Sequence, residues 1–302
     1  MPNYSRAGSG PDIVIAGAAR SGTSLLASQL SMHPDIDPGS VKEPNYFSRR
    51  ADRDDAWYEG LYKPRQAGLL RLDASVSYTY PQYPDALESL AETSPNVFVV
   101  YLVRDPVPRA ISHFLFYRHY FTYRERALDF GAALRASSYY TDVSDYRRWR
   151  QALTAAFPDD RLLVVPFQAV TRSTHQVASV ICSRLGLSAP PEMPDQVYAH
   201  RNNTVEFRHD SARRISRALR QSRLYPRVRA TIGAQGMRRI RSALTRTPEL
   251  PNEQAVLASC DSDQLAQLDG LRDRARQAAS DWLTEQDIRE QYGWSQLWTF
   301  AD

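Results

Sequence analysis

The sequence predicts a three-layer α/β fold, in which helices cover both faces of a central, mostly parallel β-sheet. Two observations carry this prediction: short apolar runs rich in β-branched residues recur over residues 10–190, and segments with helical spacing alternate with them. Beyond residue 190 the pattern is mostly helical. We therefore expect one domain over residues 1–302, with an α/β core over 10–200 and a helical C-terminal part over 201–302.

The first strand and helix are predicted near the start of the chain. Residues 12–19 form a short apolar run that ends in a turn of glycine and serine residues. Residues 23–33 follow with leucines at helical spacing, and Pro34 ends the pattern. A strand, a glycine-containing turn and a helix in this order are the opening of a βαβ unit.

Three further strands are expected downstream. Residues 96–103 are continuous and apolar, which is typical of a parallel strand buried on both faces, and residues 68–74 and 160–167 are similar but less marked runs. Helical patterns follow at residues 106–117, where a proline stands in the favoured first position, and at residues 174–185.

The C-terminal third is distinguished by its charge. Residues 201–246 contain 13 Arg and 2 acidic residues, whereas residues 247–302 contain 4 Arg and 11 acidic residues. The arginine-rich segment 211–246 has a mostly helical pattern, and residues 261–282 predict an amphipathic helix. The arginines either bind an anionic acceptor or a membrane surface, or form a solvated face paired with the acidic residues.

Composition narrows the class of protein. Hydrophobic residues make up 42% and charged residues 24% of the chain, as in ordinary globular domains, so a wholly disordered or coiled-coil chain is excluded. Two cysteines supply neither a disulfide framework nor a metal cluster. Residues 1–11 lack the apolar stretch of a signal peptide and residues 97–103 are too short to span a bilayer, which predicts a soluble, cytoplasmic protein.

The turn after the first strand has the glycine spacing of an anion-binding loop. Residues 17–24 read GAARSGTS, and backbone N–H groups of such a loop, with a helix N-terminus behind them, bind phosphate-like groups. Thr23 occupies the position where a nucleotide-hydrolysing loop has Lys, which argues against ATP or GTP hydrolysis. Arg20 supplies a cation for a shorter anionic group instead. The alternative is an ordinary strand-to-helix turn.

Two other places carry candidate site residues. Arg104 directly follows the clearest predicted strand, where ligands bind in open α/β sheets, and Ser112 lies about two helical turns further on. Both can contact one phosphate, or Arg104 can pair with Asp105. Lys42 and Glu43 follow the first helix after a short loop. Glu43 can accept a hydroxyl proton if a transferable group lies near it, and otherwise the pair is solvated surface.

Together these motifs resemble those of the sulfotransferases that use 3′-phosphoadenosine 5′-phosphosulfate (PAPS), especially the bacterial and heparan-sulfate types. In that family a G-x-x-[KR]-[SG]-G-T-[ST] loop binds the 5′-phosphosulfate, K-E-x-x-[FY]-F carries the catalytic Glu, and R-D-P-x-x-R-A-x-S binds the 3′-phosphate. All three occur here in that order, and the resemblance spans residues 12–208. It implies a P-loop-NTPase-like fold and a PAPS-dependent sulfotransferase that needs no metal.

The resemblance also implies a role for each matching residue. The cofactor-binding residues are then Arg20, Ser21, Gly22, Thr23, Ser24, Arg104, Ser112 and Arg208. The first five hold the 5′-phosphosulfate and the last three hold the 3′-phosphate. Glu43 is the general base, and Arg20 together with Lys42 stabilises the charge that develops on the bridging oxygen.

The acceptor is less closely specified. Ala74 stands where many family members have a Lys and Asn45 where heparan-type enzymes have a His, which weakens the case for a heparan-like acceptor. We expect a hydroxyl on a carbohydrate, a glycolipid or a secondary metabolite, and no nucleic acid partner. Nearby aromatic residues either stack on the acceptor or belong to the core: Tyr46, Phe47, Tyr78, Tyr80 and Phe114. Two other functions stay open, a P-loop-like nucleotide kinase or phosphotransferase and a non-catalytic polyanion-binding protein.

Overall fold

The computed structural model describes residues 10–49, 52–120, 125–194, 206–207 and 251–285, with 211, 232, 236, 240 and 243–246 between the last two ranges. Its main sheet has five strands: β1 (Ile13–Gly17), β2 (Ile36–Asp37), β3 (Leu70–Asp73), β4 (Phe98–Val103) and β5 (Leu162–Pro166). Their order across the sheet is β2-β3-β1-β4-β5, and every neighbouring pair is parallel. The predicted α/β fold with a parallel sheet is confirmed.

Helices connect and cover the strands. They are α1 (Thr23–Leu30), α2 (Asp55–Glu59), α3 (Ala86–Thr93), α4 (Pro106–Tyr120), α5 (Phe130–Ala136), α6 (Tyr139–Asp142), α7 (Tyr146–Ala156), α8 (Phe167–Arg172), α9 (Thr174–Arg184), α10 (Glu253–Leu257) and α11 (Ser262–Glu285). Two 3₁₀ turns lie at Val76–Thr79 and Asp159–Arg161. The four helices with predicted bounds are found: three begin at the predicted residue and one begins a residue later, and their last residues differ from the predicted ones by one to three residues.

The core lies on both faces of the sheet. Every residue of β1, β4 and β5 is buried, and successive side chains of a strand point to opposite faces, so helices must cover both. On the flanks α1 packs against α9, and α11 packs against α7 and α4. Most of the aromatic residues considered for acceptor stacking are core residues instead, since four of them are at most 4% exposed: Tyr46, Phe47, Tyr78 and Phe114.

The C-terminal part contributes to this core. In α11 a stripe of alanines is buried, and the Trp282 ring lies 5.7 Å from the Tyr101 ring of β4. A short antiparallel pair, β6 (Glu206–Phe207) and β7 (Thr245–Arg246), joins residues near the two ends of the arginine-rich segment. None of the helices in the described ranges is both long and apolar enough to cross a membrane.

The strand order creates a switch point between β1 and β4. After β1 the chain builds β2 and β3 on one side of it, and then crosses to β4 and β5 on the other side. Connections that leave β1 and β4 in opposite directions open a crevice at the carboxyl ends of these strands, which is the usual ligand site in such sheets.

Candidate active site

The loop that leaves β1, residues 17–22, depends on its two glycines. A Cβ atom on Gly17 would lie 2.3 Å from the Thr79 hydroxyl oxygen, so the strand passes Thr79 only because this residue has no side chain. Gly22 is the N-cap of α1 and has a φ of 89°, in the left-handed region that glycine adopts without strain. Gly17 is therefore needed because the strand passes close to Thr79, and Gly22 is needed because the chain turns sharply into α1.

Arg20 lies between these glycines with a φ of 68°, a conformation that costs a non-glycine residue about 1–2 kcal/mol. Its Nε donates to Ser112 Oγ at 3.1 Å, and its backbone carbonyl accepts from an Nη atom of Arg104 at 2.9 Å. These contacts join the phosphate-loop motif to the motif after β4. The structure thus brings together three residues that the sequence placed on two separate segments.

Arg104 is fixed by its own neighbours. The Tyr146 hydroxyl accepts from the Arg104 backbone N–H at 3.0 Å and donates to its carbonyl at 2.6 Å, and the guanidinium lies 4.5 Å above the Phe167 ring. Burial, with smaller contributions from the cations Arg20 and Arg109, lowers the pKa of Arg104 to about 10. Arg104 is therefore still protonated at neutral pH. A bound anion would offset the mutual repulsion of these cations.

Ser21 supplies the most direct sign of a ligand. Its side chain is fully buried, and its hydroxyl has no hydrogen-bond partner among the residues that the structure describes. An unsatisfied buried hydroxyl costs about 1–3 kcal/mol. The following residues, Thr23 and Ser24, open α1 and offer first-turn N–H groups that no helix can satisfy internally. A phosphate or sulfate group bound in this loop would satisfy both kinds of donor.

Arg109 is a residue of this site that sequence reasoning missed. Its side chain is fully buried on α4 and donates to the Ala19 carbonyl at 3.1 Å, the Tyr140 carbonyl at 2.6 Å and the Ser144 hydroxyl at 2.6 Å. Ala19 is the residue before Arg20, so Arg109 ties the phosphate loop to α4 and α6. The second Arg of the R-D-P-x-x-R motif was the signal that could have identified it.

Glu43 lies on a loop whose backbone is held by hydrogen bonds. The Glu43 carbonyl accepts from the Asn45 side-chain amide at 2.8 Å, and the Asn45 backbone N–H donates to Ser75 Oγ at 2.9 Å. The Glu43 carboxylate forms an ion pair with Lys42, and the two side chains are 38% and 36% exposed. The pair is thus accessible to solvent, while its backbone is anchored to the segment after β3.

Tyr80 connects Glu43 to the phosphate loop. Desolvation, the neighbouring Tyr117 and then the Glu43 carboxylate raise the pKa of Tyr80. The Tyr80 ring lies 5.8 Å from the His113 ring, and His113 Nδ1 lies 3.2 Å from an Nη atom of Arg109. The Glu43 loop is anchored at Ser75, and the next residue, Val76, packs in one small buried cluster with Ala19 of the phosphate loop, against which Tyr80 also packs.

Two predicted features cannot be placed in this way. Arg208 and most of the arginine-rich segment 211–246 lie outside the described residues. The described acidic residues of the C-terminal part include ion-pair partners outside that segment, since Asp261 pairs with Arg135 and Asp281 with Arg150. Among the described residues no group of three His, Cys, Asp or Glu side chains is arranged to hold a metal ion.

Comparisons with known proteins find similarity to sulfotransferases. A model of the sulfotransferase family matches residues 50–191, a range that includes Arg104 and Ser112 but not the phosphate loop or Glu43. The mouse heparan sulfate glucosamine 3-O-sulfotransferase 6 is 36% identical over 104 residues, which are 34% of this chain and 30% of that protein. The human heparan sulfate glucosamine 3-O-sulfotransferase 3B1 is 32% identical over 104 residues, 34% of this chain and 26% of that protein.

A solved structure matches over a larger part of the chain. The sulfotransferase from Alicyclobacillus acidocaldarius superposes with a TM-score of 0.52 at 26% identity, covering 63% of this chain and 89% of that one. The matches to the heparan sulfate enzymes, by contrast, span less than a third of the length of those relatives. The motifs, the fold and these similarities together support a relationship of the chain to the sulfotransferases.

Proposed function

We propose that the protein transfers the sulfuryl group of PAPS to a hydroxyl group of an acceptor, with Glu43 as the general base. The observation that carries this proposal is the convergence of Arg20, Arg104 and the unpartnered Ser21 hydroxyl at the carboxyl ends of β1 and β4. The anionic phosphate and phosphosulfate groups of such a nucleotide bind to hydrogen-bond donors of this kind. The family similarity supports sulfate as the group that is transferred.

The residues around the crevice fit the donor substrate. Ser21, the first-turn N–H groups of α1 and the Arg20 guanidinium would hold the 5′-phosphosulfate, and Arg104 with Ser112 would hold the 3′-phosphate. When bound there, PAPS supplies an activated sulfuryl group on a phosphate leaving group. Arg20 and Ser112 are already hydrogen-bonded, so recognition at one end of the donor is coupled to recognition at the other.

The transfer step then requires one proton acceptor. The Glu43 carboxylate takes the proton of the acceptor hydroxyl while the new S–O bond forms and the S–O bond to the phosphate breaks. Arg20, and Lys42 beside Glu43, stabilise the negative charge that develops on the leaving oxygen. No residue in this scheme changes oxidation state, and the proton stays on Glu43 until solvent removes it.

Other expectations from the sequence stay predictions. These are a metal-free reaction, a cytoplasmic location, and an acceptor that is a carbohydrate, a glycolipid or a secondary metabolite. The two relatives named for heparan sulfate suggest a glycan, but Ala74 and Asn45 depart from the heparan-type pattern. The arginine-rich segment 211–246 can bind an anionic acceptor or touch a membrane surface.

The proposal predicts that Glu43→Gln keeps its affinity for the nucleotide but loses turnover. Calorimetry should show that 3′-phosphoadenosine 5′-phosphate binds about 10- to 100-fold more tightly than ADP, which lacks the 3′-phosphate that Arg104 and Ser112 contact. Glu43→Gln should keep this affinity and lose about 100- to 10,000-fold in kcat, measured as labelled sulfate transferred from PAPS to a panel of phenols and saccharides.

The exposed Glu92 of α3 provides the matched control, because Glu92→Gln removes the same charge away from the site. This variant should behave as the wild type in both assays. Equal affinity for the two nucleotides would refute the donor assignment. Full turnover in Glu43→Gln would refute the base assignment and leave the donor assignment standing.

A further inference from the structure

Two residues other than glycine adopt the left-handed backbone conformation in the described part of the chain, and one of them is Asn45, with a φ of 54°. The other is Arg20 of the phosphate loop. Residues in this conformation persist only where their surroundings hold them, and they are concentrated at functional sites. Asn45 lies two residues after Glu43, and the proposed function gives it no role.

The side chain of Asn45 holds the backbone of Glu43. Its amide nitrogen donates to the Glu43 carbonyl at 2.8 Å. Its amide oxygen accepts from the Ser77 hydroxyl at 2.6 Å, and its backbone N–H donates to the Ser75 hydroxyl oxygen at 2.9 Å. One residue thus attaches the backbone of the proposed base to two serines that follow β3.

A third serine completes this network of hydrogen bonds. The Ser48 hydroxyl oxygen lies 2.6 Å from the Ser77 hydroxyl oxygen and 3.1 Å from the Asn45 carbonyl oxygen, and it can donate to either. The side chains of Ser48 and Ser77 are both buried. Water therefore has little access to these groups, and a hydrogen bond lost here is not readily replaced.

The two serines that hold Asn45 belong to a segment attached to β1. One of them precedes the 3₁₀ turn Val76–Thr79, and the other lies within it. The Thr79 hydroxyl donates to the Ala16 carbonyl of β1 at 2.8 Å, and Val76 packs in one small buried cluster with Ala19 of the phosphate loop. The Glu43 loop and the phosphate loop are therefore attached to the same short turn.

The position of the Glu43 backbone matters because little else fixes the side chain. The Glu43 side chain is 38% exposed, and its carboxylate contacts Lys42, which is exposed to a similar extent. A general base must reach the acceptor hydroxyl while that hydroxyl faces the sulfur atom of the donor. A displacement of about 1 Å between reacting groups can cost about 100-fold in rate.

We propose that Asn45 is a positioning residue, which holds Glu43 at a fixed distance from the phosphate loop, with Ser77 as its partner. This inference rests on the proposed function, in which Glu43 is the general base. In this role Asn45 acts through Glu43, and binding of the donor does not depend on it.

The test removes the amide of Asn45 and, separately, the hydroxyl that bonds to it. Asn45→Gly keeps the left-handed backbone without strain, and Ser77→Ala removes the hydroxyl. Asn252→Gly is the control, because the Asn252 side chain also bonds to the backbone, at the Ala255 N–H, but at the start of α10. Turnover is measured as labelled sulfate transferred from PAPS to the panel of phenols and saccharides, in the wild type and in a Glu43→Gln background.

We expect kcat to fall about 10- to 100-fold in Asn45→Gly and about three- to tenfold in Ser77→Ala. Calorimetry should show affinity for 3′-phosphoadenosine 5′-phosphate within about twofold of the wild type in both. In the Glu43→Gln background, Asn45→Gly should change the remaining turnover by less than about twofold, since no base is left to position. A merely structural role would lower turnover equally in both backgrounds, and Asn252→Gly should behave as the wild type.

Hydrogen exchange supplies a measurement that needs no acceptor. The backbone amides of residues 43–47 should exchange faster in Asn45→Gly and Ser77→Ala than in the wild type or Asn252→Gly. Unchanged exchange, wild-type kcat in Asn45→Gly, or an equal loss in the two backgrounds would overturn the inference and leave Glu43 as the base. Full turnover in Glu43→Gln alone would overturn the base assignment, and this inference with it.

Discussion

Asp73 ends β3 with its carboxylate fully buried beneath tyrosine rings. The hydroxyls of Tyr58 and Tyr78 donate to Asp73 Oδ2 at 2.9 and 2.6 Å. Burial outweighs these hydrogen bonds and those of Ser75, and raises the pKa of Asp73 from 3.8 to about 6. The neutral acid is therefore favoured in the folded state, and folding takes up a proton between these two pH values.

It follows that this residue should make the protein less stable as the pH rises from about 4 to about 7. Below the unfolded pKa the side chain is neutral in both states, and above the folded pKa the folded state has a buried charge, a difference of about 3 kcal/mol. Asp73→Asn keeps an oxygen for the tyrosine hydroxyls and cannot ionise. Urea unfolding at both ends of this pH range should show that the variant lacks this part of the decline.

The exposed Glu88 of α3 provides the control, and Glu88→Gln should follow the wild-type decline. A decline in Asp73→Asn as large as that of the wild type would show that Asp73 is already ionised in the folded state at low pH. Measuring the difference between variants removes the contribution of the other carboxylates, because it is common to all three proteins.

Single residues of the site were predictable to different degrees. Arg20, Glu43 and Arg104 follow from residue type and position after a strand or helix, because the backbone alone places such ends near one another. The loop motif also names Ser21, but the burial of its hydroxyl and the contacts of Arg109 depend on long-range packing. Arg109 reaches Ala19 across 90 residues and Ser144 across 35 residues of sequence, and nothing in a local pattern encodes which carbonyl will face a guanidinium.

At the scale of elements, the long strands were predictable because their burial on both faces forces a continuous apolar run. The strand β2 has two residues, and the helices α2 and α6 have five and four, which is too short for any periodicity to register. Their signals are local instead: the Asp54 side chain caps α2, and the Asp129 side chain caps the seven-residue helix α5. Such capping residues indicate where a helix begins but not how many residues it contains.

Arg109 acts at this scale, because it joins α4, the phosphate loop and α6. We expect Arg109→Lys to weaken binding of 3′-phosphoadenosine 5′-phosphate by about tenfold, since one ammonium cannot bond the Ala19 carbonyl, the Tyr140 carbonyl and Ser144 together. Calorimetry measures the affinity. Arg118→Lys is the control, because Arg118 also donates to a carbonyl from α4, that of Ala127, but away from the loop.

The two variants separate positioning from general stability. Arg109→Lys and Arg118→Lys should both lower the melting temperature, because each leaves a carbonyl with a poorer donor. Only Arg109→Lys should change nucleotide affinity. If both variants bound the nucleotide as the wild type does, the loop would not depend on Arg109 for its shape.

At the scale of the whole molecule, the C-terminal helix α11 is attached to the segment that carries Arg104. Arg272 Nε lies 3.1 Å from Asp105 Oδ2, and the side chains of Arg272 and Asp105 are 22% and 7% exposed. Asp105 also accepts from the Val107 backbone N–H at 3.0 Å in the first turn of α4. The ion pair therefore connects the helical C-terminal part to Asp105, the neighbour of Arg104, which is proposed to bind the 3′-phosphate of PAPS. The sequence alternative in which Asp105 pairs with Arg104 is thus not the contact described.

We predict that Arg272→Met lowers the free energy of unfolding by about 2 kcal/mol, because it leaves the nearly buried Asp105 carboxylate without its cation. The affinity for 3′-phosphoadenosine 5′-phosphate should fall with it, since the backbone of Arg104 is then less firmly held.

Asp105→Asn in the Arg272→Met background should restore part of the stability, because the buried charge is gone. Arg274→Met, an exposed position of the same helix, should leave both quantities unchanged. Additive losses in the double variant, measured by urea unfolding, would mean that the pair contributes nothing to the attachment of α11, and that this helix is held by its other contacts, among them the buried Trp282 and alanines.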